Sequence, residues 1–105
     1  MEEITEKKVE EYLRISVKET LHGKAYKCVS PGNDGMPDRM VCLPGGRVVF
    51  IETKSPGKVS TKLQKKRQAE LSELGFPVFA EVDSKAKVNA IIDYCYILMH
   101  KSAED

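Results

Sequence analysis

The sequence has no long apolar run and no recognisable targeting segment. No stretch approaches the roughly 18 consecutive apolar residues that a membrane-spanning helix requires. The start, Met1-Glu2-Glu3, lacks the basic-then-apolar order of a secretory signal. The 105 residues, 41% hydrophobic and 31% charged, suffice for one compact domain spanning residues 1–105. We therefore expect a single globular domain in the cytoplasm, with no membrane partner.

The sequence also lacks the cysteine and histidine spacing of a zinc or redox site. Cys28, Cys42 and Cys95 are widely separated and no CxxC occurs, so neither a zinc ribbon nor a thioredoxin-type motif is present. His22 and His100 are far apart and lack metal-ligand spacing. Because each cysteine lies among apolar neighbours, we expect all three to be small core residues.

The net charge is only +1, so overall charge does not indicate a nucleic-acid partner. The charges are unevenly distributed, however, because the segment 54–67 has six basic residues and no acidic one. A run of this kind is usually a solvated face, and its meaning depends on what surrounds it. The basic residues are Lys54, Lys58, Lys62, Lys65, Lys66 and Arg67.

Hydrophobic periodicity predicts the element order αβββαβα. This order indicates an α/β domain with a mixed central sheet flanked by helices. The third strand is apolar on both faces, which indicates a central strand covered on both sides. The predicted helices cover residues 3–21, 61–74 and 84–100, and the predicted strands cover residues 24–29, 38–43, 47–54 and 78–82.

The first predicted helix carries an acidic residue on its apolar face. Val9, Leu13 and Val17 form one stripe, and Glu6 falls in the middle of it. A carboxylate facing inward is costly unless another group compensates for its desolvation. Glu6 is therefore a candidate site residue, with Glu10 on the edge of the stripe as the alternative. Glu6 could also lie in a frayed first turn and face water.

A tight connection at residues 44–46 sets the expected register of the central hairpin. If all three residues form the loop, Phe50 faces Met40, and Glu52 faces Asp38. Directly opposed Cβ atoms lie about 4.5–5.5 Å apart, so two carboxylates there repel each other unless a divalent cation lies between them. Mg²⁺ suits such an oxygen-rich site. A two-residue loop would shift the register by one residue and still leave the carboxylates close.

Two further groups belong to this candidate site. Lys54 lies two residues after Glu52, on the same face of the strand, where an ammonium can hold the attacking water or stabilise a scissile phosphate. Thr53 points to the other face, but its backbone carbonyl is a candidate metal ligand. The pattern favours metal-assisted phosphodiester hydrolysis. The alternative is a turn-capping Asp38 with a Glu–Lys surface pair, since Glu-x-Lys also arises by chance.

The order of these pieces resembles the PD-(D/E)xK nuclease superfamily, and more narrowly the VRR-NUC domain, a virus-type replication and repair nuclease module. The likeness covers roughly residues 4–84, and the element at Gln64 narrows the superfamily to this branch. The resembling residues are Thr5-Glu6, Gly35-Met36-Pro37-Asp38, Val49-Phe50-Ile51-Glu52-Thr53-Lys54 and Thr61-Lys62-Leu63-Gln64, with Leu71 and Gly75 at the end of the second helix.

The resemblance implies a restriction-endonuclease-like core and dependence on Mg²⁺, with Mn²⁺ able to substitute. It also implies action on branched DNA, such as a Holliday junction or a flap. Catalytic roles follow for Glu6, Asp38, Glu52, Lys54 and Gln64, and metal ligation is expected from the three acidic residues of that set together with Thr53. The stand-alone form of the module suggests a phage or prophage origin, hence the host cytoplasm.

With a nuclease core, the basic run becomes a candidate DNA contact. Lysines there can neutralise phosphates and position a duplex without reading its sequence. Arg67 departs from the family pattern, because many relatives carry an apolar or aromatic residue at that position. Its stem could pack past the core, or its guanidinium could reach the phosphate. The expected DNA contacts are Lys58, Lys62, Lys65, Lys66 and Arg67.

A homodimer is the expected assembly. A symmetric junction requires two active sites related by a two-fold axis, which a homodimer provides. A strip of Ile4, Tyr12 and Ile15, or the last helix, is a candidate interface, although ordinary exposed apolar residues explain the strip equally well. Two rival functions are a DNA-binding module that keeps the endonuclease fold without cutting, and an accessory protein with no nucleic-acid role.

Overall fold

The computed structural model describes residues 5–101 and shows the predicted order αβββαβα. None of the helices in this described part is long and apolar enough to span a membrane. The elements are α1 (Glu6–Leu21), β1 (Lys24–Lys27), β2 (Arg39–Leu43), β3 (Arg47–Thr53), α2 (Lys62–Glu73), β4 (Val78–Val82) and α3 (Lys85–Lys101).

The four strands form one mixed sheet in the order β1-β2-β3-β4. The pairs β1–β2 and β2–β3 are antiparallel, whereas β3 and β4 are parallel and are joined by a crossover through α2. Met40 pairs with Phe50, which confirms the register expected for a three-residue loop. Gly45 and Gly46 in that loop have φ of +89° and +81°, a region that glycine enters without steric cost.

The hydrophobic core lies on one face of the sheet, beneath α1 and α3. Thr5 caps α1 by accepting a hydrogen bond from the backbone of Lys8 at 3.2 Å, and the predicted start at residue 3 lies outside the described residues. The Tyr12 hydroxyl donates to Asn89 Oδ1 at 2.7 Å and joins α1 to α3. The core includes Val9, Leu13, Val17 and Leu21 of α1, Val41, Val49 and Ile51 of the sheet, and Val88, Ile91, Ile92 and Cys95 of α3.

The second helix covers the other face of the sheet only thinly. No residue of α2 is buried, and Leu63 and Leu74, which lie on its apolar face, are 40% and 74% exposed. Contact on that face comes instead from Phe76, whose ring meets Phe50 edge-on with centroids 5.4 Å apart.

The prediction for the cysteines is correct for only one of them. Cys95 is buried in the core, whereas Cys28 and Cys42 are half-buried, and all three are free thiols. Cys42 precedes the hairpin loop and alternates with the core-facing Val41, so it points to the thinly covered face. Cys28 lies just beyond β1, which ends at Lys27 and not at residue 29.

Candidate active site

The β2–β3 ladder brings Asp38 and Glu52 together. The ladder pairs Arg39 with Ile51, and the same register continued by one residue sets Asp38 opposite Glu52. The two carboxyls lie within hydrogen-bonding reach of each other. The arrangement expected from the loop length is therefore present, and two acidic groups share one end of the hairpin.

Thr53 holds the Asp38 carboxyl in place. The Thr53 backbone N–H and its hydroxyl both donate to Asp38 Oδ2, each at 2.9 Å, and Thr53 is fully buried. Thr53 is buried like Val49 and Ile51, with which it shares a face of the strand by alternation, and its hydroxyl meets the Asp38 carboxyl at the end of β3. The β3–β4 pairing shifts between Ile51 and Thr53, where β4 has an additional residue and Glu81 has φ of 55°.

Glu52 is a buried carboxyl that lacks a hydrogen-bond partner for one of its oxygens. The residue is 1% exposed, and its Oε1 is the only buried side-chain nitrogen or oxygen atom of residues 5–101 without a hydrogen-bond partner. Burial, followed by the neighbouring Asp38, raises the pKa of Glu52 to about 8. An uncompensated buried charge costs several kcal/mol. The pair therefore fits a hard cation, because a cation would satisfy the orphaned oxygen and relieve the repulsion.

Of the two alternative acids on α1, Glu6 is the one whose charge acts on the active-site pair. Its side chain is half-buried, and its charge contributes to the raised pKa of Glu52. Glu10 is bound elsewhere, because its Oε1 accepts from Arg39 Nε at 2.7 Å with both side chains largely buried. No three acidic, histidine or cysteine side chains within the described chain form a metal cluster on their own. Two carboxylates completed by water molecules suit Mg²⁺.

Lys54 lies beside the two carboxyls. Its charge lowers the pKa of Glu52, opposing the larger effects of burial and Asp38. Its backbone N–H donates to the carbonyl of Val82 at 3.0 Å, which anchors the end of β3 to β4. The side chain is half-buried and has no ion pair with any residue between 5 and 101. The ammonium is therefore free to meet an anionic ligand.

Gln64 has a structural role in this conformation. The Gln64 side-chain Oε1 accepts a hydrogen bond from the Thr61 backbone N–H at 2.8 Å, while the Gln64 backbone N–H donates to the Thr61 hydroxyl at 3.1 Å. This reciprocal capping box defines the start of α2. It satisfies two backbone donors of the first turn that would otherwise lack partners.

The Arg67 side chain is only 16% exposed, and its guanidinium bonds to groups of the protein. Its Nε donates to the carbonyl of Asp34 at 3.0 Å, and the guanidinium also pairs with Glu70 at 2.9 Å. Gly35 packs beneath the same helix, since a Cβ there would lie 2.9 Å from Leu63 Cγ. Its φ of +89° also favours glycine. The loop that leads into Asp38 is thus fastened to α2.

The four predicted DNA-contact lysines lie on the surface. All are exposed, and none has an ion pair among residues 5–101. They continue from the active-site strand through the loop and along α2. These lysines are Lys58, Lys62, Lys65 and Lys66.

No family model matches the chain. The protein named "Putative nuclease p44" of Acyrthosiphon pisum secondary endosymbiont phage 1 is 44% identical over 75 residues, which cover 71% of this chain and 80% of that protein. A solved structure titled "VRR_NUC domain" superposes with a TM-score of 0.77 at 28% identity, covering 87% of this chain and 97% of the other. The fold is thus the expected restriction-endonuclease-like one, and the chain belongs to the VRR-NUC family of nuclease domains.

Proposed function

We propose that this protein is a divalent-metal-dependent endonuclease that hydrolyses phosphodiester bonds in branched DNA in the cytoplasm. The observation that carries the proposal is the buried, unpartnered Oε1 of Glu52 beside Asp38. In this proposal Asp38, Glu52 and the Thr53 carbonyl bind Mg²⁺, or Mn²⁺ in its place, and Glu6 contributes a further carboxylate. The family of the chain and the printed name of its phage relative support a nuclease.

Each group of the site has a separate role in hydrolysis. When bound, the metal supplies Lewis acidity toward the phosphoryl oxygen and lowers the pKa of a water molecule. Asp38, held by two hydrogen bonds from Thr53, keeps its carboxyl oriented without reorganisation. Lys54 stabilises the negative charge that grows on the scissile phosphate and orients the attacking water. The burial of Glu52 away from water strengthens these electrostatic interactions.

The α2 side of the site positions DNA in this proposal. Lys58, Lys62, Lys65 and Lys66 neutralise phosphates of a duplex next to the active-site strand. Gln64 acts by fixing the first turn of α2, because its Oε1 already accepts a hydrogen bond from Thr61. Phosphate contacts of this kind position a duplex but carry no sequence information. Recognition of DNA shape is therefore the form of specificity that fits these residues.

A cleavage assay on three DNAs tests this function. We expect a four-way junction and a flap to be cut faster than a linear duplex of equal length when Mg²⁺ or Mn²⁺ is present. Excess EDTA should stop all cutting, because the two carboxylates then hold no cation. Binding of the junction without cleavage under any metal would instead favour the non-cutting DNA-binding module. Absence of both binding and cleavage would contradict the proposed function.

A homodimer is the second part of this proposal, because a symmetric junction needs two sites related by a two-fold axis. The apolar strip on α1 gives this dimer little support. Tyr12 already bonds to Asn89 within the same chain, and Ile4 lies outside the described residues. The last helix supports it better, since Tyr96 and Ile97 are 53% and 63% exposed. Sedimentation at micromolar concentration should show a dimer, and a purely monomeric protein would remove this part.

A further inference from the structure

A second basic surface lies between α1 and β1, separate from the lysines of α2. It consists of two adjoining depressions of about 290 Å³ and about 170 Å³, which share Arg14 as a lining residue. We call this surface the α1–β1 groove. Its charged lining residues are the basic Lys7, Arg14, Lys18, Lys24, Lys27 and Arg39 and the acidic Glu10 and Glu11.

The positive charge of the groove is largely uncompensated. Arg39 and Glu10 neutralise each other through their contact at 2.7 Å, and the Lys24 ammonium lies over the ring of Tyr26, 4.7 Å from its centroid. Four further cations remain against the single charge of Glu11. The exposed side chains of Lys7, Arg14, Lys18 and Lys27 have no ion pair within residues 5–101. The net charge of the chain is only +1, so this is a local concentration of positive charge. Such a concentration attracts a polyanion.

The groove begins at the candidate active site and leads away from it. Lys7 follows Glu6 on α1, and Lys27 pairs with Arg39, the neighbour of Asp38. Along the helix, Lys18 lies eleven residues beyond Lys7, a distance of roughly 16 Å at 1.5 Å per residue. The phosphates of one DNA strand are about 3.4 Å apart along the helix axis, so that length corresponds to about five phosphates of one strand.

The two basic surfaces lie on opposite faces of the sheet. Val49 and Ile51 of β3 join the core beneath α1 and α3. Phe50, which alternates with them, packs on Phe76 at the end of α2. A single straight duplex bound along the α2 lysines therefore lies on the face opposite the α1–β1 groove. Both surfaces nevertheless begin at the candidate active site.

We propose that the α1–β1 groove binds the phosphate backbone of a second duplex arm of a branched DNA substrate, while the α2 lysines bind the first arm. This inference rests on the proposed function and goes beyond it by naming the surface that distinguishes branched from linear DNA. The lysine and arginine side chains contact phosphates only, so the groove reads the angle between two arms and not their sequence.

The test compares a groove variant with a matched control. Arg14→Gln/Lys18→Gln removes two exposed charges from the groove, and Lys85→Gln/Lys101→Gln removes two exposed charges from α3, which covers the β4 side of the sheet. Binding is measured by fluorescence anisotropy in EDTA over a series of salt concentrations. The probes are a four-way junction and a linear duplex of equal total length. Thermal unfolding checks that both variants fold.

We expect the groove variant to bind the junction about tenfold more weakly, with the slope of log affinity against log salt reduced by about two. Its affinity for the linear duplex should change less than about twofold, and the control should resemble the wild type on both DNAs. Unchanged junction binding, as expected if the groove serves an acidic protein segment, would overturn the inference. An equal loss on junction and linear duplex would also overturn it, because the groove would then hold the same duplex as α2.

Failure of this inference is separable from failure of the proposed function. Because binding is measured without metal, the result does not depend on cleavage. If the wild type binds and cuts the junction but the groove variant behaves like the wild type, only the second-arm inference is wrong. If the wild type binds no DNA at all, both are wrong.

Discussion

Replacing Glu52 with glutamine is expected to lower the cleavage rate by roughly a thousandfold or more while DNA binding is retained. Glutamine keeps the size of the side chain but loses the charge that the proposed cation requires. Because Glu52 is buried and the proposed DNA contacts are exposed lysines, duplex affinity measured in EDTA should not fall. Wild-type cleavage by this variant would show that the site is misassigned.

The same substitution should stabilise the metal-free protein at neutral and alkaline pH. The pKa of Glu52 is raised from its ordinary value of 4.5 to about 8, so the folded state binds the proton more tightly than the unfolded state. Stability is therefore fully present below about pH 4.5 and declines as pH rises toward about 8, by up to about 1.4 kcal/mol per pH unit. Glu52→Gln removes this decline. Chemical unfolding in EDTA at acid and alkaline pH measures it, and equal slopes for both proteins would contradict the expectation.

Two further carboxylates serve as comparisons. Glu6→Gln should raise the Mg²⁺ concentration needed for half-maximal cleavage, because the negative charge of Glu6 acts on Glu52. Glu10→Gln should leave that concentration unchanged, since Glu10 is bonded to Arg39, but should lower the free energy of unfolding by breaking that contact. The reverse result would make Glu10 the helix ligand. The exposed Glu73→Gln controls for loss of a carboxylate as such.

Replacing Lys54 with alanine is expected to reduce kcat by about 10²–10³-fold with little change in KM for DNA. The ammonium lies beside Asp38 and Glu52, where charge develops on the phosphate in the transition state and not in the bound substrate. Because Lys54 lowers the pKa of Glu52, its removal should also shift the remaining activity toward higher pH.

Lys58→Ala is the matched control for this variant. It removes the same side chain four residues further along, at an exposed position. We expect weaker DNA binding and an unchanged kcat. If Lys54→Ala also changed only KM, Lys54 would be a phosphate contact for ground-state binding and not part of the chemistry.

The hairpin register was predictable because it depends on local chain chemistry. A three-residue Pro-Gly-Gly loop determines which residues of β2 and β3 face each other, and alternation then assigns the faces. From this alone the sequence places Asp38 opposite Glu52 and Lys54 on the same side. The α1 stripe was predictable for a similar reason, since Val9, Leu13 and Val17 follow the helical period and are buried.

Features that depend on tertiary geometry were not predictable. The two hydrogen bonds by which Thr53 holds Asp38 join β3 to the residue before β2, and no local pattern signals them. The Glu10–Arg39 pair likewise joins α1 to β2. The bond of Arg67 to the carbonyl of Asp34, which joins α2 to the loop before β2, also has no local signal in the sequence.

The proposed mechanism requires Asp38 and Glu52 to bind one divalent cation together at the end of the hairpin. Anomalous scattering from crystals soaked in millimolar Mn²⁺ reveals where the cation binds. We expect one strong peak between the two carboxyls, within about 2.0–2.3 Å of an oxygen of each, and no such peak in Glu52→Gln crystals. A peak bound to other residues, or no peak between these carboxyls in the wild type, would show that they do not form the metal site.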